Sequence, residues 1–122
     1  GILAVTVPAY LPERICWALS DSYHAPIEVG GHVRIYTRKK LESKMRTARM
    51  QPIDYHRAHA LHSPYWWLKC AVGTKNDQNK LVKAFLTWDI VKQPLFTRSV
   101  EKILQPVLGK SAIIYAQKTA TA

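Results

Sequence analysis

The chain opens on a short apolar run, residues 2–7, which is rich in β-branched side chains and is followed by Pro8. Such a run is typical of a strand buried in a parallel sheet, and a buried strand needs neighbours on both sides. No methionine precedes the run. We therefore expect residues 1–122 to be the later portion of a larger α/β protein.

The chain is strongly basic, which bears on its solubility and on the partners that it could bind. Of the 122 residues, 48% are hydrophobic and 21% are charged, which is typical of a globular chain. Lys and Arg number 18 against 8 Asp and Glu, a net charge of +10. This excess attracts polyanions, anionic surfaces or acidic ligands, but it also keeps a protein soluble. We favour the second role, because the basic residues form no single stripe.

Cys16 and Cys70 are the only cysteines, and neither belongs to a C-x-x-C pair. Their tryptophan neighbours predict buried free thiols, which fits a reducing, cytoplasmic location. No apolar stretch approaches the roughly 20 residues that a membrane-spanning helix needs. The length fits one domain over residues 1–122.

Apolar periodicity predicts an alternating α/β order. Strands are predicted at residues 2–7, 53–60 and 111–117. Helices are predicted at residues 11–19, 38–50, 81–91 and 98–108. Residues 32–36 predict a short extended segment. The pattern at residues 62–73 does not distinguish a helix from a strand.

Local signals set the boundaries of these elements. Thr37 and Thr97 are expected to be N-caps, and Gly109 is a natural helix stop. Pro52 is expected to break the chain before the second strand. Pro106 is expected to bend or shorten the last helix.

Three histidines, His56, His59 and His62, are spaced by three. On a helix they would share a face and could hold zinc. On a strand His59 would point away from the other two, and residues 53–60 predict a strand. We therefore expect no metal site.

Two further histidines, His24 and His32, flank a loop that contains a glycine pair. A histidine with a near-neutral pKa accepts a proton from a hydroxyl or amine, although most loop histidines are only solvated. Arg34 would share a strand face with His32. The two would recognise an anionic group, unless Arg34 pairs with Glu28 instead.

Tyr65 and the two tryptophans after it predict either a stacking pocket or core packing, with equal weight. The basic run at residues 38–40 would contact phosphates or form a solvated helix face. The sequence holds no Gly-x-Gly-x-x-Gly, P-loop or Gly-x-Ser-x-Gly motif and no RNA-binding aromatic signature. We therefore do not expect nucleic acid as the partner.

The strand before Pro8 and the pattern His-x-Arg-x-Tyr-Thr-x-x-x-Leu from His32 to Leu41 resemble a known family. They are similar to the C-terminal half of class I S-adenosylmethionine-dependent methyltransferases. Residues 59–70, with His-Ser-Pro-Tyr-Trp-Trp, look like an actinobacterial subgroup of these enzymes. The resemblance covers residues 1–117.

The resemblance implies an α/β fold with a partial Rossmann-like sheet, helices on both faces and a helical insertion at residues 74–109. Residues 2–7 would be the fifth strand and 53–60 the sixth, with 111–117 the antiparallel seventh between them. The family usually has Gly where this chain has Arg49. Left-handed Arg costs about 1 kcal/mol, so we expect the helix to end differently.

The resemblance further implies methyl transfer to a small-molecule, lipid or saccharide acceptor. S-Adenosylmethionine would be the cofactor of the full-length parent. The family's glycine-rich loop and acidic residue are not in this sequence, so no cofactor is expected on this chain alone. The candidate bases are His24 and His32. The expected substrate-facing residues are Tyr10, Glu13, Tyr23, Arg34, His62, Tyr65 and Trp66.

Two other hypotheses stand beside the methyltransferase. One is a non-catalytic basic module that binds nucleic acid or an anionic surface. The other is a stable remnant whose open edge at residues 2–7 pairs with the missing half or with a second copy.

Overall fold

A three-stranded sheet forms the centre of the fold. The computed structural model describes residues 1–23, 32–76, 78–92 and 95–120. The strands are β1 (Ile2–Pro8), β2 (Met50–Ala58) and β3 (Ser111–Lys118). β3 lies between β1 and β2 and is antiparallel to both, so β1 and β2 run parallel to each other. This is the strand order that the family resemblance implies.

Five α-helices flank the sheet in the described residues. They are α1 (Tyr10–Leu19), α2 (Arg38–Thr47), α3 (His62–Val72), α4 (Lys80–Leu86) and α5 (Leu95–Leu108). A 3₁₀ turn covers Asp21–Tyr23, and a π-helical stretch, Thr87–Lys92, extends α4. The fold class is therefore α/β, and residues 62–73, left open by the sequence, are mostly helical. No helix in the ranges described is both long and apolar enough to cross a membrane.

The core lies between α2 and one face of the sheet. Along β3, Ala112, Ile114 and Ala116 are buried and alternate with partly buried residues. This period of two is the spacing by which a strand directs one set of side chains to one face. Met45 of α2 packs against Ile114 and Ala116.

The ends of α2 follow local capping chemistry with one exception. The Thr37 hydroxyl accepts a hydrogen bond from the Lys40 amide, as the sequence predicts. The expectation that the helix avoids a left-handed Arg49 is wrong, because Arg49 has a φ of 57°. Its carbonyl accepts hydrogen bonds from both the amide and the hydroxyl of Thr119, and these bonds hold the strained residue in place.

The first strand is not buried between two neighbours. β1 is an edge strand, where Ile2 is 67% exposed and Leu3 is 42% exposed. Within the residues that the structure describes, only β3 pairs with it. The apolar pattern of residues 2–7 indicates a strand correctly, but the second neighbour that this pattern implies is not among the described elements.

The second strand begins earlier and ends earlier than predicted. Pro52 does not break the chain but lies inside β2, with a bulge between Pro52 and Asp54. An edge strand tolerates proline because the missing amide can face away from the ladder. The strand ends at Ala58 because His59 turns the chain at a φ of 62°.

The segment before α2 also departs from the expectation. Residues 32–36 form neither a strand nor a sheet pairing. No neighbouring strand is present for them to pair with in the described part of the chain.

The last helix begins earlier than the sequence predicts. Thr97 is buried inside α5 and is not its N-cap. Pro106 does not shorten the helix, which continues to Leu108. Gly109 does stop it, and a Cβ there would lie 2.5 Å from the Arg57 Cβ and 2.6 Å from the Gln105 carbonyl oxygen.

The end of α5 is fixed to the rest of the fold by two side chains. Arg57 Nη1 donates to the Val107 carbonyl at 2.8 Å, and Ser63 Oγ donates to the Leu108 carbonyl at 2.5 Å. These bonds satisfy carbonyls that the end of a helix leaves without partners. They also fix the start of β3, where Lys110 lies.

Candidate functional site

The candidate site lies where β1 and β2 end and β3 begins. Pro8 and Ala58 both lie opposite Ser111 in the ladder. The Ala9 amide donates to the Lys110 carbonyl at 2.7 Å, and the Lys110 amide donates to the His59 carbonyl at 3.3 Å. Ligands of α/β proteins commonly bind beyond the carboxyl ends of parallel strands, which is the end of the sheet described here.

A buried carboxylate organises this end of the sheet. Glu13 of α1 is 0% exposed. Its Oε1 lies 2.5 Å from His32 Nδ1, and its Oε2 accepts a hydrogen bond from Lys110 Nζ at 2.6 Å. A buried carboxylate is costly unless it is paired and hydrogen-bonded, so the His32–Glu13–Lys110 arrangement is a coupled unit.

Lys110 connects the carboxylate to the residues around it. Its Nζ also donates a hydrogen bond to Cys16 Sγ at 3.5 Å and another to the Tyr23 hydroxyl oxygen at 3.3 Å. The ammonium lies 5.4 Å from the Tyr23 ring centroid and 5.9 Å from that of Trp66. Three donor contacts and two aromatic rings therefore surround this cation.

The buried surroundings keep the Tyr23 phenol protonated. Burial and then the negative charge of Glu13 raise the pKa of Tyr23 well above its usual range. The Tyr23 ring also contacts the Trp66 ring, with centroids 5.5 Å apart. Tyr23 is therefore a neutral wall of the site at ordinary pH.

Two buried thiols adjoin the same cluster. Cys16 and Cys70 are free and buried, which confirms the sequence prediction. A hydrogen bond from the Cys70 thiol, with a further contribution from the charge of Lys110, lowers the pKa of Cys16. The same hydrogen bond and burial raise the pKa of Cys70. Cys16 is therefore the thiol that ionises first.

His32 is the member of the unit that meets solvent. Its side chain is 42% exposed, whereas that of Glu13 is 0% exposed. Because Nδ1 faces the carboxylate, Nε2 is the nitrogen left to meet a ligand. An open cavity of about 230 Å³ adjoins it. The cavity is lined by Thr6, Val7, Pro8, His32, Lys110 and Ser111. A carboxylate-bound imidazole beside a cavity can accept a proton from a bound molecule.

Of the residues predicted from the sequence, Glu13, Tyr23, His32 and Trp66 come together around Lys110. His24 and Glu28 lie outside the described residues.

The three consecutive aromatic residues of α3, residues 65–67, make different contacts. Trp66 faces Lys110, and the Tyr65 ring packs against Trp66 and Phe85. Trp67 Nε1 donates to the Pro12 carbonyl at 3.0 Å and joins α3 to α1. The contacts of Tyr65 and Trp67 are those of helix packing, and a stacking pocket on this run stays a prediction.

His62 lies in a different cavity, of about 210 Å³, together with His59, Asp89 and Glu101. The rings of His59 and His62 have centroids 5.1 Å apart. Among the residues described, no group of three or more His, Cys, Asp or Glu side chains has the arrangement of a metal site.

Tyr10 and Arg34 lie apart from the carboxylate cluster and line a third cavity, of about 660 Å³. The basic run at residues 38–40 is partly neutralised. Arg38 Nε donates to Glu42 at 2.6 Å, and its guanidinium lies 4.2 Å from the Tyr55 ring centroid.

Lys110 is the residue of the candidate site that the sequence analysis does not predict. It follows a helix-stopping glycine and precedes an apolar strand, a pattern that marks a turn and carries no chemical signal. A usable signal is the pair Glu13 and Cys16, which are three residues apart and share a helix face. Comparisons with known proteins add no assignment, since no family model, no curated protein and no solved structure matches the chain.

Proposed function

We propose that this chain is the acceptor-binding, C-terminal portion of an S-adenosylmethionine-dependent methyltransferase. The methyl acceptor would be a small molecule, a lipid or a saccharide. The sheet order β1–β3–β2, with the antiparallel strand in the middle, supports the proposal because it is the order that the family resemblance implies. A fold of this kind hosts many activities, so the argument for function rests on the site.

The observation that carries the proposal is the hydrogen bond between His32 Nδ1 and Glu13 Oε1 at the carboxyl end of β1. Glu13 accepts a hydrogen bond from the Nδ1–H group of His32. This bond favours the tautomer in which Nε2 of His32 is free to accept a proton. When the acceptor's hydroxyl or amine loses its proton, that proton moves to Nε2 and the electron pair stays on the nucleophilic atom. The buried carboxylate then stabilises the imidazolium.

Lys110 keeps the carboxylate in position. It donates a hydrogen bond to the second oxygen of Glu13, so the carboxylate is held from both sides while its first oxygen orients His32. Tyr23 and Trp66 extend the wall of the site on the side of Lys110. Since His32 is partly exposed, the proton can pass from it to water after the reaction.

The sequence does not contain the residues with which the family holds S-adenosylmethionine. Its sulfonium would supply the methyl group when bound, but the glycine-rich loop and the acidic residue that hold it in the family are not in this sequence. No step of the reaction is therefore assigned to a cofactor contact in this chain. Positioning of the acceptor and removal of its proton are the two tasks proposed for it.

The test uses the protein as the cell makes it, with its length defined by intact mass. Calorimetric titration of S-adenosylhomocysteine reports cofactor binding without knowledge of the acceptor. Transfer of a labelled methyl group to a cell extract then compares His32→Gln with His56→Gln. His56 is the matched control because it is an exposed histidine stacked on Tyr115, with ring centroids 5.6 Å apart.

We expect binding of S-adenosylhomocysteine, and methyl transfer that falls by about 10²–10⁴-fold in His32→Gln only, which is the usual contribution of a general base. A protein that binds no S-adenosylhomocysteine would overturn the methyltransferase proposal. Equal activities of the two variants would overturn the role of His32.

A further inference from the structure

A second binding surface lies on the other side of α1 from Cys16. Tyr10, Arg14 and Trp17 are spaced by four and three residues, so they form one stripe along the helix. This stripe faces the segment before α2 and the first turns of α2. Between them is the cavity of about 660 Å³, here named the basic groove. The basic groove is lined by Tyr10, Arg14, Trp17, Val33, Arg34, Ile35, Tyr36, Thr37, Lys40 and Lys44.

The basic groove brings four basic side chains together. Arg14, Arg34, Lys40 and Lys44 come from three separate segments, and all four are exposed. No acidic side chain lines the groove, and none of the four cations forms an ion pair, within the ranges of residues described. Like charges held around one cavity repel each other and attract an anion.

The same chain neutralises cations elsewhere. On α2, the helix that carries Lys40 and Lys44, Arg38 and Arg46 both form ion pairs with Glu42, at 2.6 Å and 3.3 Å. Lys110 is paired with Glu13. The four cations of the basic groove differ from an exposed basic residue such as Lys102 in that they come from three segments and line one cavity.

The walls between the charges are aromatic and apolar. Tyr10, Trp17 and Tyr36 lie beside Val33 and Ile35 in the groove. A cavity of several hundred Å³ with apolar walls and a few charged groups is the usual form of a small-molecule site. Arginine binds phosphate oxygens through two parallel N–H donors, whereas lysine acts as a point charge.

We propose that the basic groove binds a soluble small molecule that carries a diphosphate on a planar or apolar body. Its phosphates lie against Arg14, Arg34, Lys40 and Lys44. Its body packs on the rings of Tyr10 and Tyr36. The proposal does not depend on methyl transfer.

The test measures binding to the full-length protein by calorimetry at low salt. The probes are pyrophosphate, uridine diphosphate and uridine. A uracil base is chosen because adenine would also enter a site for S-adenosylmethionine. We expect uridine diphosphate to bind more tightly than pyrophosphate and uridine not to bind. Saturating S-adenosylhomocysteine should leave the affinity for uridine diphosphate unchanged, which separates the two proposals.

Two variants and a matched control identify the site. Arg14→Gln and Lys44→Gln each remove one charge from the groove, and each should weaken binding of uridine diphosphate by about tenfold or more. Lys102→Gln removes the same charge from an exposed position on α5 and should leave binding unchanged. Circular dichroism checks that all three remain folded.

Three results would overturn the proposal. The first is no binding of either pyrophosphate or uridine diphosphate. The second is an equal loss of affinity in Lys102→Gln, since the net charge alone would then explain binding. The third is that vesicles containing phosphatidic acid bind at Arg14 and Lys44 whereas the soluble probes do not, which would make a lipid headgroup the ligand.

Discussion

Replacing Lys110 with methionine should destabilise the fold strongly. Methionine keeps most of the length of the side chain and removes its charge. The Lys110 side chain is 11% exposed and the Glu13 side chain is 0% exposed, so both charges are largely removed from water. The substitution leaves a buried carboxylate with the His32 ring as its remaining hydrogen-bond partner.

The size of the effect follows from that burial. Breaking a buried ion pair by removing one partner costs about 3–5 kcal/mol, because the other charge stays desolvated. The His32 ring keeps its hydrogen bond to the carboxylate, so we expect the lower end, about 3 kcal/mol. With about 2.1 cal/mol/K of unfolding entropy per residue over 122 residues, the melting temperature should fall by about 12 °C.

Urea unfolding followed by tryptophan fluorescence measures the free energy of unfolding, and circular dichroism measures the melting temperature. Lys118→Met is the matched control, because Lys118 is exposed and is the last residue of β3, the strand that Lys110 immediately precedes. The double variant Glu13→Gln, Lys110→Met removes both charges and should recover most of the loss. A loss below about 1 kcal/mol in Lys110→Met, or no recovery in the double variant, would refute the argument that this pair is desolvated.

Three further substitutions test other parts of the fold by urea unfolding. Gly109→Ala should cost about 1–3 kcal/mol, because its Cβ would overlap neighbouring atoms; an unchanged midpoint would contradict this close approach. Arg49→Gly should stabilise by up to about 1 kcal/mol by relieving a positive φ, and a loss of stability would argue against strain there. A hydrogen bond from Arg38, then the charges of Arg38 and Arg46, lower the pKa of Glu42. Glu42 therefore contributes under about 1 kcal/mol to the free energy of unfolding. This contribution is present at pH above the pKa of Glu42 in the unfolded chain, and it is lost as the pH falls through the lower pKa of the folded protein. Glu42→Gln should therefore lose stability at pH 7 but not at strongly acidic pH, and an equal loss at both would contradict this linkage.

Local chemistry predicts much of the secondary structure. The Thr37 cap, the Gly109 stop and the strand at residues 111–117 depend on neighbouring residues in the chain, and the structure confirms all three. The predictions that Pro52 breaks the chain and that Thr97 is an N-cap are wrong because both residues depend on tertiary structure and not on their neighbours in the chain. Proline is tolerated in a strand only at an edge, and Thr97 is buried inside α5 rather than at its start.

The sequence by itself determined where the three strands and most of the helices lie and which thiols are buried, because hydrophobic periodicity and capping are local properties. Only the tertiary structure decided that Glu13 meets Lys110, which is 97 positions away along the chain. It also decided that Arg14 and Lys44 face one groove. The physical reason is that the partner of a buried charge depends on how whole elements pack, and no pattern of nearby residues encodes that packing.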